Sequence, residues 1–136
     1  MDTHVLNFSE HGISERILKH LVPCFEIMVP FTINPVKEPT GEVADIVDLA
    51  DKLMRDLGQG GKLDGTTPII VVVPALAEFA AILMAELHGR LGTFPRVISQ
   101  RRGVDGVWNL FANSANLGVM DLERVRRESR GRRKVR

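Results

Sequence analysis

Residues 68–98, PIIVVVPALAEFAAILMAELHGRLGTFPRVI, constrain the fold most, because they read as a buried strand, a turn, a helix and the start of another strand. Pro68 stands at the first strand position, where proline is tolerated. Residues 69–73 (IIVVV) are an unbroken β-branched run with no polar face. A strand buried on both faces belongs to a parallel sheet covered by helices. Beyond it Leu76, Phe79, Ala80, Leu83 and Leu87 recur at helical spacing, with Glu78 and Glu86 elsewhere on the circumference. The pattern stops between Gly89 and Gly92, ahead of Pro95. This is half of a βαβ unit with a distinctive tail, ELHGRLGTFP.

The rest of the chain extends that unit. Residues 3–8 (THVLNF) read as a first strand, and Ser14 can cap a short helix carrying Ile17, Leu18 and Leu21, which Pro23 ends. Residues 24–33 (CFEIMVPFTI) read as a second strand that Pro30 either bulges or places at an edge. After a loop over 34–41, residues 42–57 form an amphipathic helix with an apolar stripe of Val43, Ile46, Val47, Ala50, Leu53, Met54 and Leu57. Residues 59–66 are a glycine-rich linker without the GxxxxGK[ST] pattern of a phosphate loop. Strands are expected over 96–100 and 107–111, separated by a turn over 101–106, and a C-terminal helix starts at Asp121 with Leu122 and Val125 as its few apolar anchors. The order β, α, β, α, β, α, β, β, α predicts an α/β fold, a Rossmann-like open and mainly parallel sheet flanked by helices. One domain spans 1–120, and 121–136 form its basic C-terminal helix or tail.

A chain of 136 residues can bury a single core. It has no apolar run approaching 18 residues and no basic region followed by an apolar stretch at its start, so a cytoplasmic protein without a membrane span is expected. The only cysteine, Cys24, has no disulfide partner and is read as a buried structural thiol. The net charge of +1 conceals an asymmetry. Residues 124–136 hold eight Lys or Arg against Glu128, a charge of +7, whereas residues 1–123 hold ten basic and sixteen acidic groups, a charge of −6. Such an appendix attracts a polyanion, an acidic neighbouring subunit, or nothing specific.

In open α/β sheets ligands bind beyond the carboxyl ends of the strands, where helix N-termini and loops converge. That nominates three loops: Asn7, Phe8, Ser9, Glu10 and His11; residues 32–40; and Pro74, Ala75, Leu76 and Ala77, whose small residues let backbone N–H groups approach an anion. Asn7 and Ser9 equally suit an Asx or Ser turn, and Pro74 equally suits a helix start. No GxGxxG follows a strand, which disfavours a dehydrogenase-type cofactor. The four histidines, His4, His11, His20 and His88, form no HxxxH pair, and no serine sits in GxSxG, so neither a metal nor a serine nucleophile is expected. A crossover helix runs antiparallel to its strand, which puts His88, Gly89 and Arg90 on the edge opposite the three loops. There Gly89 reads as a terminator and Arg90 complements the helix dipole.

NFS at residues 7–9, the run PALAEFAAILMAELHGRLGTFP and the terminal LERVRRESRGRR together resemble a small single-domain family of CRISPR-associated accessory proteins of type III systems, relatives of the CARF domains. The most specific part is ELHGRxGxFP, with Leu91 and Thr93 at the variable places. Here NFS is followed by Glu10, His11 and Gly12, whereas the family carries a proline after the histidine of this loop. The resemblance implies a CARF-like homodimer, able to assemble further, that binds a cyclic oligoadenylate second messenger in antiviral defense. It needs no cofactor, and neither DNA nor long RNA is required. Ligand contacts would come from Asn7, Ser9, Glu10, His11, Pro74, Ala75 and Leu76, with His88 and Arg90 eligible if a ring lies between stacked dimers. Sequestration of the cyclic tetra-adenylate without turnover is the first expectation, and a ring nuclease that linearises the same ligand is the second.

Overall fold

The computed structural model describes residues 2–13, 15–19, 21, 23–33, 43–102, 108–110 and 119–134. Its elements in chain order are β1 (Thr3–Asn7), α1 (Glu15–Leu18), β2 (Cys24–Met28), α2 (Val43–Gln59), β3 (Ile69–Val72), α3 (Ala77–Leu91), β4 (Arg96–Ile98), β5 (Gln100–Arg102), β6 (Trp108–Leu110), β7 (Met120–Asp121) and α4 (Leu122–Lys134). Five strands form one sheet in the order β2-β1-β3-β4-β7, parallel except for β7, which runs antiparallel beside β4. β5 and β6 pair separately as an antiparallel ribbon. The protein is thus an α/β single domain with a mainly parallel sheet.

The β-branched run occupies the sheet's interior, and all four residues of β3 are buried. Alternation divides the core by face. Leu6, Phe8, Ile69, Val71 and Val97 meet Ala50, Leu53, Met54 and Leu57 of α2 and Phe79, Leu83 and Leu87 of α3. Val5, Ile70, Val72 and Ile98 point the other way, toward Ile13, Leu18, Leu21, Cys24 and Val119. Each fully buried leucine or phenylalanine of α3 stabilises the packing by about 1.5–3 kcal/mol, so these three side chains fix the helix on the sheet.

Several local expectations change. β2 stops at Met28, two residues before Pro30, and is an edge strand of the sheet. Cys24 is half-buried, not buried, and its thiol pKa is pushed up by burial and then by the charges of Asp2 and Glu26, which disfavours the thiolate. Val47 of the α2 stripe is exposed, as is Leu76 at the start of α3. α3 runs through Gly89 to Leu91 and ends at Gly92, whose φ of 76° is the left-handed conformation that glycine adopts without strain and whose N–H bonds to the His88 carbonyl at 2.8 Å. The strand expected over 96–100 divides into β4 and β5 at Ser99. Asp121 closes β7, a strand with no counterpart in the sequence reading, and α4 starts one residue later. Ser14, the loop over 34–41, and the residues at 103–107 and 111–118 lie outside the described residues.

Candidate functional site

The chain leaves β1 for β2 on one side, while β3 pairs with β1 on the other, so strand order reverses between β1 and β3. Their carboxyl ends flank a crevice of the kind that holds ligands in open α/β sheets. Two of the three nominated loops meet there, residues 8–12 after β1 and residues 73–76 after β3.

The first loop is tied from within. Asn7 is fully buried, and its Oδ1 accepts the Ser9 N–H at 2.9 Å and lies 2.6 Å from Ser9 Oγ, an Asx turn. Its Nδ2 donates to the His11 carbonyl and to Glu26 Oε2, each at 2.9 Å. Glu26, on β2, also accepts the Ile13 N–H at 2.7 Å. A buried amide with every bond satisfied holds loop shape, so Asn7 positions the groups that follow it. Those groups face outward: Ser9 is half-buried, and Glu10, His11 and Gly12 are exposed.

The second loop opens α3. Pro74 is buried and has no N–H to donate, while Ala75, Leu76, Ala77 and Glu78 are exposed. Leu76 is the N-cap (φ −76°, ψ 112°) and offers no side-chain cap. The first helical bond runs from the Ala80 N–H to the Leu76 carbonyl at 3.0 Å, so the N–H groups of Ala77, Glu78 and Phe79 have no acceptor within the helix. Uncapped donors and the positive end of the helix dipole suit an anion. Glu78 and Glu10 oppose it with like charge at the same edge.

Gln100, which sequence reasoning missed, joins this edge from β5. Its Nε2 donates to the carbonyls of Gly12 at 3.2 Å and His11 at 3.4 Å, and its Oε1 is buried without a hydrogen-bond partner among the described residues. A polar residue two positions past the end of β4 was the available signal. An orphaned amide oxygen matches a donor such as the exocyclic amino group of adenine.

His88 and Arg90 lie at the opposite edge, where α3 ends and β4 begins. The His88 ring packs on Phe94 with centroids 4.3 Å apart. Arg90 bonds Asp51 of α2 at 2.6 Å and Glu86 at 3.0 Å, clasping α2 to α3. Within one chain, therefore, His88 and Arg90 lie at the edge opposite His11. No group of three His, Cys, Asp or Glu could hold a metal ion among the described residues. No helix is long and apolar enough to cross a membrane among them either.

No family model, curated protein or solved structure matches this chain.

Proposed function

We propose that the protein is a Rossmann-like, CARF-like homodimer of type III CRISPR antiviral signalling that binds and sequesters a cyclic oligoadenylate, the cyclic tetra-adenylate above other rings, without turnover. The observation that carries this reading is the uncapped N-terminus of α3 at the point where strand order reverses, beside a loop locked by Asn7. Phosphates would accept from the N–H groups of residues 75–79, and an adenine amino group would donate to Gln100 Oε1. Leu76, exposed at the rim, supplies an apolar surface for a base. Two copies related by a two-fold axis present these groups twice to one symmetric ring. The motif ELHGRxGxFP at residues 86–95 supports the family on which the choice of ligand rests.

A ring nuclease acting on the same ligand is the second reading. It requires a base and a charge-stabilising cation at one phosphodiester. His88 and Arg90, at the edge opposite His11, do not supply that pair beside the crevice, which is why binding is the first reading.

Calorimetric titration with a panel of cyclic oligoadenylates tests the proposal, with chromatography of the ligand after incubation in excess over protein. The expected result is saturable binding of the tetra-adenylate at one ring per two chains, with no linear product beyond one equivalent. Continued turnover selects the nuclease, and no binding to any ring removes the proposal.

A further inference from the structure

α4 stands apart from the rest of the molecule. It starts after β7, whose Asp121 pairs with Arg96 at the beginning of β4, so it leaves from the edge opposite the crevice. Glu123 anchors its first turn by accepting the Phe94 N–H at 3.1 Å and the Arg126 Nε–H at 2.8 Å. Every residue from Arg124 to Arg133 is exposed. The helix carries seven Lys or Arg and two Glu, and Gly131 and like-charge crowding weaken it further. A 13-residue helix without an apolar face is marginal in water.

Ion pairing within α4 is selective. Glu128 engages Arg124 and Arg132, and Glu123 engages Arg126. Arg127, Arg130 and Arg133 have no ion pair among the described residues. At 100° per residue these three share about a third of the circumference, rising about 4.5 Å from one to the next. We propose that this arginine face docks on the phosphates of double-stranded DNA, with α4 as the only element in contact. A helix fits the width of the B-form major groove and not the deep, narrow one of duplex RNA. α4 has no aromatic residue on which single-stranded bases could stack, and the proposed contacts are to phosphate oxygens, which position the helix without reading sequence. The body, at −6, repels DNA and keeps the contact confined to the projecting helix.

A second copy of the chain is the competing occupant, since its body is acidic. Among the described acids of that body, Asp51, Asp56 and Glu86 are held in ion pairs, and Glu26 and Asp64 accept backbone N–H groups. Outside those contacts, Asp2, Glu10, Glu15, Asp48 and Glu78 sit on five different segments, so no three of them line up on one element against three arginines on one helix face.

The test is fluorescence anisotropy of a labelled 20-base-pair duplex of arbitrary sequence, titrated with the full chain at several salt concentrations. Loss of the three contacts in R127Q/R130Q/R133Q is expected to lower the salt slope by about 3 and weaken binding about tenfold or more at low salt. E128Q, which releases Arg124 and Arg132, is expected to bind more tightly, an outcome that misfolding cannot imitate. Helical circular dichroism of the native chain is expected to rise on adding duplex. Binding of cyclic tetra-adenylate is expected to be unchanged in the triple variant, so failure here is distinguishable from failure of the proposed function. Equal duplex affinity in the triple variant overturns the inference. So does preference for single strands or duplex RNA, and so does self-association without DNA that the triple variant abolishes.

Discussion

At the scale of residues, Asn7 decides the shape of the crevice. Its amide joins the turn at Ser9, the carbonyl of His11 and the carboxylate of Glu26 on another strand. Removing it in N7A leaves buried partners unsatisfied and is expected to cost about 2–3 kcal/mol in urea unfolding. N7D places a second carboxylate against Glu26, which raises the folded pKa of the pair above its unfolded value. Its deficit is therefore expected to be largest at neutral pH and to shrink as pH falls through the carboxylate range. A deficit independent of pH would contradict that account. Glu78, exposed in the first turn of α3, opposes any anion at the helix end, so E78Q is expected to tighten cyclic oligoadenylate binding about 2-fold to 5-fold by calorimetry. The sequence left Asn7 open between a turn and a ligand group because Glu26, 19 residues away, is what completes the network. Gln100 was illegible for a similar reason, since its orphaned oxygen exists only once loop 11–12 is folded against it.

At the scale of elements, periodicity made β3, α2 and α3 legible because each has one dominant apolar pattern. The ends were less so. Both Gly89 and Gly92 could terminate α3, and the choice falls to Gly92 because Arg90 is held inside the helix by Glu86 and across to α2 by Asp51. Two-residue β7 has no pattern to read, and its place depends on pairing with β4. The junction it creates is held by Glu123, whose carboxyl is pulled to about 2 by the hydrogen bond from Arg126 and then by the Phe94 N–H. A carboxyl depressed on folding contributes stability above its unfolded pKa and loses it as pH falls through the folded one. Anchoring of α4, read by exchange protection of the Phe94 amide, is therefore expected to persist at pH 4 and to fade toward pH 2. In E123Q that protection is expected to be weak at every pH.

At the scale of the molecule, the two edges of the sheet are different surfaces. One carries the locked loop, the uncapped start of α3 and Gln100; the other carries His88 on Phe94, the clasped Arg90 and the root of α4. The fold class and the segregation of these edges were readable from a buried β-branched strand followed by an antiparallel helix, because connectivity alone dictates where a crossover helix begins and ends. Under the proposed function the ligand is expected at the first edge, where the N–H groups of Ala77, Glu78 and Phe79 lack helical acceptors, and not at the second, where Arg90 is held by Asp51 and Glu86. Amide hydrogen exchange with and without cyclic tetra-adenylate measures that directly. Added protection is expected at residues 75–79 and 9–12, with residues 88–94 unchanged. Protection confined to 88–94 would contradict the account and move the site to the opposite edge.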